Sequence, residues 1–354
     1  MTPRWAVHIG VEKSGTTTLQ RSLFPAHPEI DFVGKPFEAG PWPDTAESAQ
    51  AANEFAEAVL NIWTQDSLTF DAAHERARAL SALETCQLDF GKLSVLAEEA
   101  LSTARAVDRA LVADRLKDVL GDAKILITIR SQPDAILSLY EHLSRKGTLA
   151  DSFDTWVGKR LQSARMGDFV SSADIQTYRY DQLVDLYADK FGRENVGVFL
   201  FEDLRDTPDI FARDVATFLE VDADEAVTAL GTEWHNKRKT DMYYSVRGAE
   251  NRYARIRERF FPWFSLSRQA PALWRLKERI RARAVDRTTT KASNRKRPSP
   301  EIMRQIEEYF RPHNARLESM IRRELPASGY GKSTPPLAGN PEAEPINVGG
   351  AQNV

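Results

Sequence analysis

The sequence is poor in the residues that build covalent or metal cross-links. Cys86 is the single cysteine among 354 residues, and the six histidines are scattered along the chain. One cysteine excludes an intramolecular disulfide framework and suits a reducing compartment. Because no group of histidine, cysteine or acidic residues has the spacing of metal ligands, the sequence predicts no metal site.

Long apolar runs and a strong net charge are also lacking. No stretch approaches the roughly 20 apolar residues that cross a bilayer, and no apolar signal region precedes the first strand pattern. We therefore expect a cytoplasmic protein. The net charge of −3 gives no indication of nucleic-acid binding, and no nucleic-acid partner is expected. An apolar content of 42 % is sufficient for the core of one large α/β domain.

A glycine-rich segment follows the first apolar run, Ala6–Ile9. It reads Gly10-Val11-Glu12-Lys13-Ser14-Gly15-Thr16-Thr17-Thr18 and leads into a helix-compatible stretch. Such strand-loop-helix turns bind phosphate through inward-pointing N–H groups and the helix N-terminus, and here lysine and hydroxyl groups add to them. A nucleotide-hydrolysing loop places its lysine directly after the second glycine. Thr16 occupies that position here.

A second motif follows the apolar, β-branched run Lys124–Ile129, which is typical of a strand buried on both faces. Arg130 ends this strand, and a helix begins near Ser131 with Pro133 in its first turn. Ser138 comes eight residues after Arg130. A guanidinium at a strand end and a hydroxyl on the next helix are suited to bind one phosphate together.

Both motifs resemble those of the sulfotransferases that use 3′-phosphoadenosine 5′-phosphosulfate (PAPS). The loop around Lys13 is similar to their 5′-phosphosulfate loop, and Arg130 with Ser138 is similar to their 3′-phosphate motif. Phe201-Glu202-Asp203-Leu204, followed by Thr207-Pro208, resembles a stretch that these enzymes carry after their core, with Glu220 where a glycine is usual. The resemblance implies an α/β fold: a doubly wound, mostly parallel sheet with a P-loop-like phosphate-binding loop and helical insertions.

The resemblance also implies an activity, namely transfer of a sulfuryl group from PAPS to a hydroxyl or amine of a glycan, lipid or small molecule, without a metal. Lys13 is then the residue that stabilises the bridging oxygen. The residues expected to bind the co-substrate are Lys13, Ser14, Gly15, Thr16, Thr17, Thr18, Arg130, Ser138, Lys237 and Arg238. The last two belong to the basic loop Asn236–Lys239. An exposed basic segment that binds no ligand is an equally good interpretation of this loop.

The catalytic base is expected after the strand Ile30–Val33. Glycan sulfotransferases of this family carry a catalytic glutamate and a helper lysine in that region, and the resemblance assigns these roles to Glu38 and Lys35. The spacing requires a gap of one residue. A glutamate there acts as a base only if burial raises its pKa toward neutrality.

The sequence predicts one sulfotransferase domain over residues 1–330. A helical insertion is expected at 45–110, with the sheet resuming at Ala110–Ala113. A second, basic and amphipathic helical insertion is expected at 240–297, a helix capped by Ser299 follows, and residues 331–354 form a disordered tail.

The basic insertion contains 15 lysine and arginine residues against three acids between Asn251 and Arg297. This composition is typical of a segment that contacts an anionic membrane. Helices rich in aromatic residues, however, pack against the rest of the protein more often than they bind a membrane, so a flap packed on the enzyme is the alternative interpretation. Two other functions remain open: a P-loop kinase that uses ATP and magnesium, and a non-catalytic peripheral membrane protein on the same fold.

Overall fold

A parallel sheet forms the centre of the protein. The computed structural model describes residues 3–34, 45–86, 88–102, 108–145, 149, 151–231, 298–331 and 347–348. The strands have the order β2-β3-β1-β4-β5-β6. They are β1 Arg4–His8, β2 Ile30–Gly34, β3 Leu93–Ala97, β4 Ala123–Ile129, β5 Val196–Leu200 and β6 Asn347–Val348. Every pairing is parallel, which confirms the predicted fold class.

The helices cover both faces of the sheet because the strands are apolar on both sides. Alternate residues of β1 divide between two clusters: Trp5 and Val7 pack on one face, and Ala6 packs on the other. The first face is covered by helices α3 Ala46–Thr64, α4 Ala72–Thr85, α5 Arg109–Leu120, α6 Gln132–Arg145, α7 Phe153–Arg165, α8 Phe169–Gln176, α9 Tyr180–Phe191 and α13 Pro300–Ile321.

The opposite face is covered by elements that follow β1 and β5. After β1 come α1 Thr16–Thr18, a π-helical turn Leu19–Leu23 and α2 Phe24–Ala26. After β5 come α10 Phe201–Asp206, α11 Pro208–Leu219 and α12 Ala223–Leu230. A short helix, α14 Ala327–Tyr330, follows α13, and its Tyr330 packs on the first face. The helix after β1 therefore lies on one face, and α6, which follows the neighbouring strand β4, lies on the other.

The third strand corrects one prediction. The sheet does not resume at Ala110–Ala113, because these residues lie in α5, where Asp108 caps the helix by accepting a hydrogen bond from the Ala110 N–H. The strand is β3, Leu93–Ala97, inside the stretch predicted to be helical, and all of its residues are buried. Its five residues lie between β1 and β2, so the segment 45–110 contributes to the sheet as well as to the helical layer.

The C-terminal part of the chain largely follows the prediction. Ser299 caps α13 by accepting a hydrogen bond from the Ile302 N–H, and the helix continues past Pro312. In the segment predicted to be a disordered tail, Asn347 and Val348 pair with β5, and residues 332–346 and 349–354 lie outside the described residues. The basic segment 240–297 lies outside the described residues. Within the described ranges, no helix is long and apolar enough to cross a membrane.

Candidate active site

The glycine-rich loop continues the pairing of β1 and then turns sharply. The Ile9 N–H donates to the Leu126 carbonyl and the Val11 N–H donates to the Thr128 carbonyl, both at 3.0 Å. Lys13 and Gly15 then adopt left-handed conformations, with φ of 76° and 85°. A left-handed residue on either side of Ser14 reverses the chain within a few residues, and the Ser14 N–H donates to the Val11 carbonyl at 3.2 Å.

The Ser14 hydroxyl lies inside the loop. It is buried and donates to the Val11 carbonyl at 2.6 Å, so the 2.8 Å contact with the Thr128 hydroxyl requires Thr128 to be the donor. His8 Nε2 lies 3.0 Å from the same Thr128 oxygen. The Ser14 hydroxyl has one proton, and it is used within the loop. In this arrangement the hydroxyl therefore has no proton to donate to a phosphate.

Both glycines of the loop are required by close packing. A Cβ at Gly10 would lie 2.3 Å from Thr128 Oγ1 and 2.5 Å from Thr16 Cγ2. A Cβ at Gly15 would lie 2.8 Å from the Phe201 ring, and the left-handed backbone adds strain for any side chain there. The loop is thus in direct contact with β4 and with the start of α10.

Arg130 lies beside the loop, as the sequence predicts. Its Nη1 donates to the Lys13 carbonyl at 3.3 Å, and its guanidinium lies 4.6 Å from the centre of the Phe201 ring. The Arg130 Nε is buried, and no described residue accepts a hydrogen bond from it. About a quarter of the Arg130 side chain, 24 %, remains exposed, and its Nη2 lies 4.0 Å from Asp134 Oδ2.

Ser138 lies on the second turn of α6, where it is half-buried. The same helix begins directly after Arg130 and Ser131, so the strand end and the helix place the two predicted 3′-phosphate residues on one continuous segment.

The Phe201-Glu202-Asp203-Leu204 stretch holds these parts together. The Phe201 ring packs against the Arg130 guanidinium and occupies the position that a side chain at Gly15 would need. Glu202 is buried; its Oε1 accepts a hydrogen bond from the Ser131 N–H at 3.0 Å, and its Oε2 accepts one from the Tyr330 hydroxyl at 3.1 Å. The motif was recognised in the sequence only as a resemblance. The structure shows that it joins the loop, the Arg130 segment and α14.

Two buried tyrosines support the same region. The Tyr180 hydroxyl donates to the Arg130 carbonyl at 2.7 Å. Burial raises the pKa of Tyr180 well above its usual value, and burial together with the nearby Glu202 does the same for the pKa of Tyr330. Both phenols therefore stay protonated across the physiological pH range and remain hydrogen-bond donors.

The carboxylates at the end of β3 were missed because the strand was missed. Glu98 and Glu99 follow β3 directly, next to the end of β1. Glu99 Oε1 accepts a hydrogen bond from the Thr16 hydroxyl at 2.6 Å. The signal was present in the sequence as a short apolar run, Leu93–Ala97, followed by two acids, the same strand-then-charge pattern that identified Arg130.

Four predicted site residues lie outside the described residues, namely Lys35, Glu38, Lys237 and Arg238. Among the residues that are described, no group of three histidine, cysteine or acidic side chains is arranged to hold a metal ion.

The loop and Arg130 lie together at a topological switch point of the sheet. The loop and Arg130 lie at the carboxyl ends of the adjacent strands β1 and β4, whose following helices pack on opposite faces of the sheet. Ligands of doubly wound proteins bind in such crevices. The cationic side chains of Lys13 and Arg130 suit a ligand with several negative charges.

Comparison with known proteins agrees with this architecture. Residues 7–225 match the model of a sulfotransferase family. This match covers more than half of the chain and includes the loop, Arg130 and the Glu202 motif. The chain therefore belongs to the sulfotransferase family.

Among solved structures, a sulfotransferase from Alicyclobacillus acidocaldarius is similar over 92 % of this chain and 98 % of its own, with 20 % identity and a TM-score of 0.50. The sulfotransferase domain of the Synechococcus PCC 7002 olefin synthase covers 87 % of this chain and 95 % of its own, with 11 % identity and a TM-score of 0.37. No curated protein matches the sequence.

Proposed function

We propose that this sulfotransferase uses PAPS as its donor and transfers the sulfuryl group to a hydroxyl or amine of an acceptor. The observation that supports this most directly is the contact between Arg130 and the Lys13 carbonyl. It joins a loop of the 5′-phosphosulfate type to the predicted 3′-phosphate motif, as a donor with phosphates on both sides of its ribose requires.

In the proposed reaction, the acceptor oxygen or nitrogen forms a bond to sulfur while the bond from sulfur to the bridging phosphate oxygen breaks. The leaving group is 3′,5′-adenosine bisphosphate, and the acceptor proton passes to a base. Lys13 stabilises the charge that grows on the bridging oxygen. The loop N–H groups with Thr17 and Thr18 bind the 5′ phosphate, and Arg130 with Ser138 binds the 3′ phosphate. Positioning and electrostatics supply most of the catalysis, and no metal is needed.

The remaining roles rest on the family resemblance alone. We propose Glu38 as the base, Lys35 as a second cation facing the sulfuryl group, and Lys237 with Arg238 as an additional 3′-phosphate contact. A glycan, a lipid or a small alcohol is the proposed acceptor. We also propose that the enzyme is cytoplasmic and that residues 251–297 contact either the acceptor or an anionic membrane surface.

One observation argues against the alternative kinase function. The position that carries lysine in a nucleotide-hydrolysing loop is Thr16, and its hydroxyl donates to the Glu99 carboxylate. A negative group thus supports the loop where a kinase has a cation for the phosphates. Arg130, in turn, stands at the strand end where a kinase is expected to hold magnesium through an aspartate.

The donor site is testable without knowledge of the acceptor. We expect 3′,5′-adenosine bisphosphate to raise the melting temperature in the absence of magnesium, because it fills two phosphate sites. AMP should stabilise the protein much less, since it leaves the Arg130 site empty, and a charge-assisted hydrogen bond contributes about 1.5 to 3 kcal/mol. Thermal unfolding with each nucleotide measures the difference.

Arg130→Ala is the matched variant for this experiment. It should remove the preference for the bisphosphate over AMP while the unliganded protein still folds. Stabilisation by ATP with magnesium, together with no effect of the bisphosphate, would show that the kinase interpretation is the correct one.

A further inference from the structure

The turn after β3 contacts the phosphate-binding loop at two places. We call the 3₁₀ helix Glu99–Ser102 the β3 turn. The Ser102 hydroxyl donates to the Glu99 carbonyl at 2.8 Å and lies 3.5 Å from the Gly10 carbonyl. Glu99 Oε1 accepts hydrogen bonds from the Thr16 hydroxyl at 2.6 Å and from Gln20 Nε2 at 3.3 Å. The turn therefore contacts both the beginning of the loop and the helical segment that follows it.

The hydrogen bond from Thr16 to Glu99 determines how the Thr16 side chain is oriented. Thr16 is buried, and a β-branched side chain has few χ1 choices. With its hydroxyl directed to Glu99, its methyl group faces Gly10, where an added Cβ would come within 2.5 Å of Thr16 Cγ2. The Thr16 methyl thus packs against the backbone at the start of the loop, and Glu99 holds it there.

The same contact assigns the only proton of the Thr16 hydroxyl to Glu99, so this hydroxyl has none left for a phosphate. The Thr16 contribution to a bound phosphate is then restricted to its backbone N–H. A carboxylate close to an anion site also repels the ligand. The Glu99 carboxylate thus has two effects: its oxygen orders the loop, and its charge weakens anion binding. The substitution Glu99→Gln separates them, because the amide keeps the acceptor oxygen and has no charge.

We propose that Glu99 is a positioning residue of the donor site, which acts through Thr16 to hold the loop in its phosphate-binding conformation. This inference rests on the proposed function, in which the loop binds the 5′ phosphate of PAPS. Glu99 itself does not touch the donor. Its effect is on the affinity of the loop for the nucleotide.

Titration calorimetry with 3′,5′-adenosine bisphosphate tests the inference. Glu99→Ala should weaken binding about ten-fold, the size expected for one charge-assisted hydrogen bond. Glu99→Gln should restore wild-type affinity or exceed it, since its amide oxygen still accepts from Thr16 and the repulsive charge is gone. Glu84→Ala, which removes an exposed carboxylate at the end of α4, should bind as the wild type does.

A double-mutant cycle shows whether Glu99 acts through Thr16. Thr16→Val removes the hydroxyl with little change of shape and should weaken binding as much as Glu99→Ala does. The double variant should bind no more weakly than either single variant. Additive losses would overturn the inference, as would unchanged affinity in Glu99→Ala or equal weakening in Glu99→Ala and Glu99→Gln. Should Glu99→Ala fail to fold, Glu99→Gln and Thr16→Val still decide between these outcomes.

The two proposals fail in different ways. If the wild-type protein does not bind the bisphosphate, the proposed function is wrong. If the wild type binds it and the Glu99 variants do not change the affinity, the donor assignment stands and the positioning role of Glu99 is wrong.

Discussion

Lys13 combines a charge with an unusual backbone conformation. Its φ of 76° is in the region that glycine adopts most easily, yet the position carries a lysine. Its carbonyl accepts the hydrogen bond from Arg130, so the left-handed turn also presents an acceptor to the predicted 3′-phosphate motif. Strained backbone that the surrounding contacts hold in place is typical of functional loops.

We expect Lys13→Ala to lower turnover by roughly 10³-fold, because it removes stabilisation of charge that grows only as the bond from sulfur to oxygen breaks. Affinity for 3′,5′-adenosine bisphosphate should change much less. Single-turnover kinetics with any competent acceptor measures the first effect, and calorimetry measures the second. Turnover close to that of the wild type would contradict the role of Lys13.

Glu220 is a second left-handed residue, with φ of 59°, at the end of α11. Its carboxylate pairs with Lys124 at 2.9 Å and with Arg4 at 3.2 Å. The hydrogen bond from Lys124 lowers the pKa of Glu220. A lowered carboxyl pKa contributes stability above the unfolded-state pKa, and this stability is lost as pH falls through the folded-state pKa.

Glu220→Gly should therefore change stability little at pH 7. The glycine relieves about 1 kcal/mol of backbone strain and loses exposed ion pairs of about 0.2 to 1 kcal/mol each. Between pH 7 and pH 4 the glycine variant should gain relative to the wild type, as measured by urea unfolding. Glu220→Ala, which keeps the strain and loses the pairs, should be the less stable of the two variants at both pH values. A relative loss for the glycine variant at pH 4 would disprove this account.

At the scale of elements, sequence patterns identified those with a strong local signal. The strand ending in Arg130, the helix capped by Ser299 and the loop after β1 were all predicted, because each has a distinct cap, apolar run or pair of glycines. β3 was missed because it is five residues long and lies in a stretch rich in alanine and leucine, which also favour a helix. Its position is determined by pairing with β1 and β2, and a single sequence does not show such tertiary contacts.

The contact between α6 and α13 depends on an amide pair that no sequence pattern indicates. Gln132 Nε2 donates to Asn314 Oδ1 at 2.6 Å, and Asn314 Nδ2 donates to Gln132 Oε1 and to the Tyr330 carbonyl. Both side chains are buried. The two residues are far apart in sequence, so only the folded structure shows that they form one polar unit.

Asn314→Ala should reduce the free energy of unfolding by about 2 to 4 kcal/mol, because it leaves the Gln132 amide and the Tyr330 carbonyl buried without partners. Urea unfolding with an unchanged slope is the measurement. The apolar double variant Gln132→Met with Asn314→Leu should lose less than Asn314→Ala does. A loss below 0.5 kcal/mol for Asn314→Ala would mean that water replaces the amide at about equal free energy.

For the whole molecule, the sequence predicted the fold class. It also placed the loop and Arg130 at the ends of two strands, and the structure brings these two motifs into contact. The residues that hold those motifs in place were not predictable. Three contacts do this: Glu99 accepts from Thr16, the Phe201 ring packs on Arg130, and the Tyr330 hydroxyl donates to Glu202. In each contact the two partners are separated by a long stretch of chain. Their roles depend on which elements become neighbours after folding, and one sequence does not record this.

The hydrogen bond from Tyr330 to Glu202 has a consequence for the order in which the protein is made. The loop around Lys13 is synthesised more than 300 residues before Tyr330. The support behind Arg130 is therefore completed only after α14 has been synthesised. A nascent chain that stops short of α14 would contain the loop and Arg130 without the hydrogen bond that Tyr330 donates to Glu202.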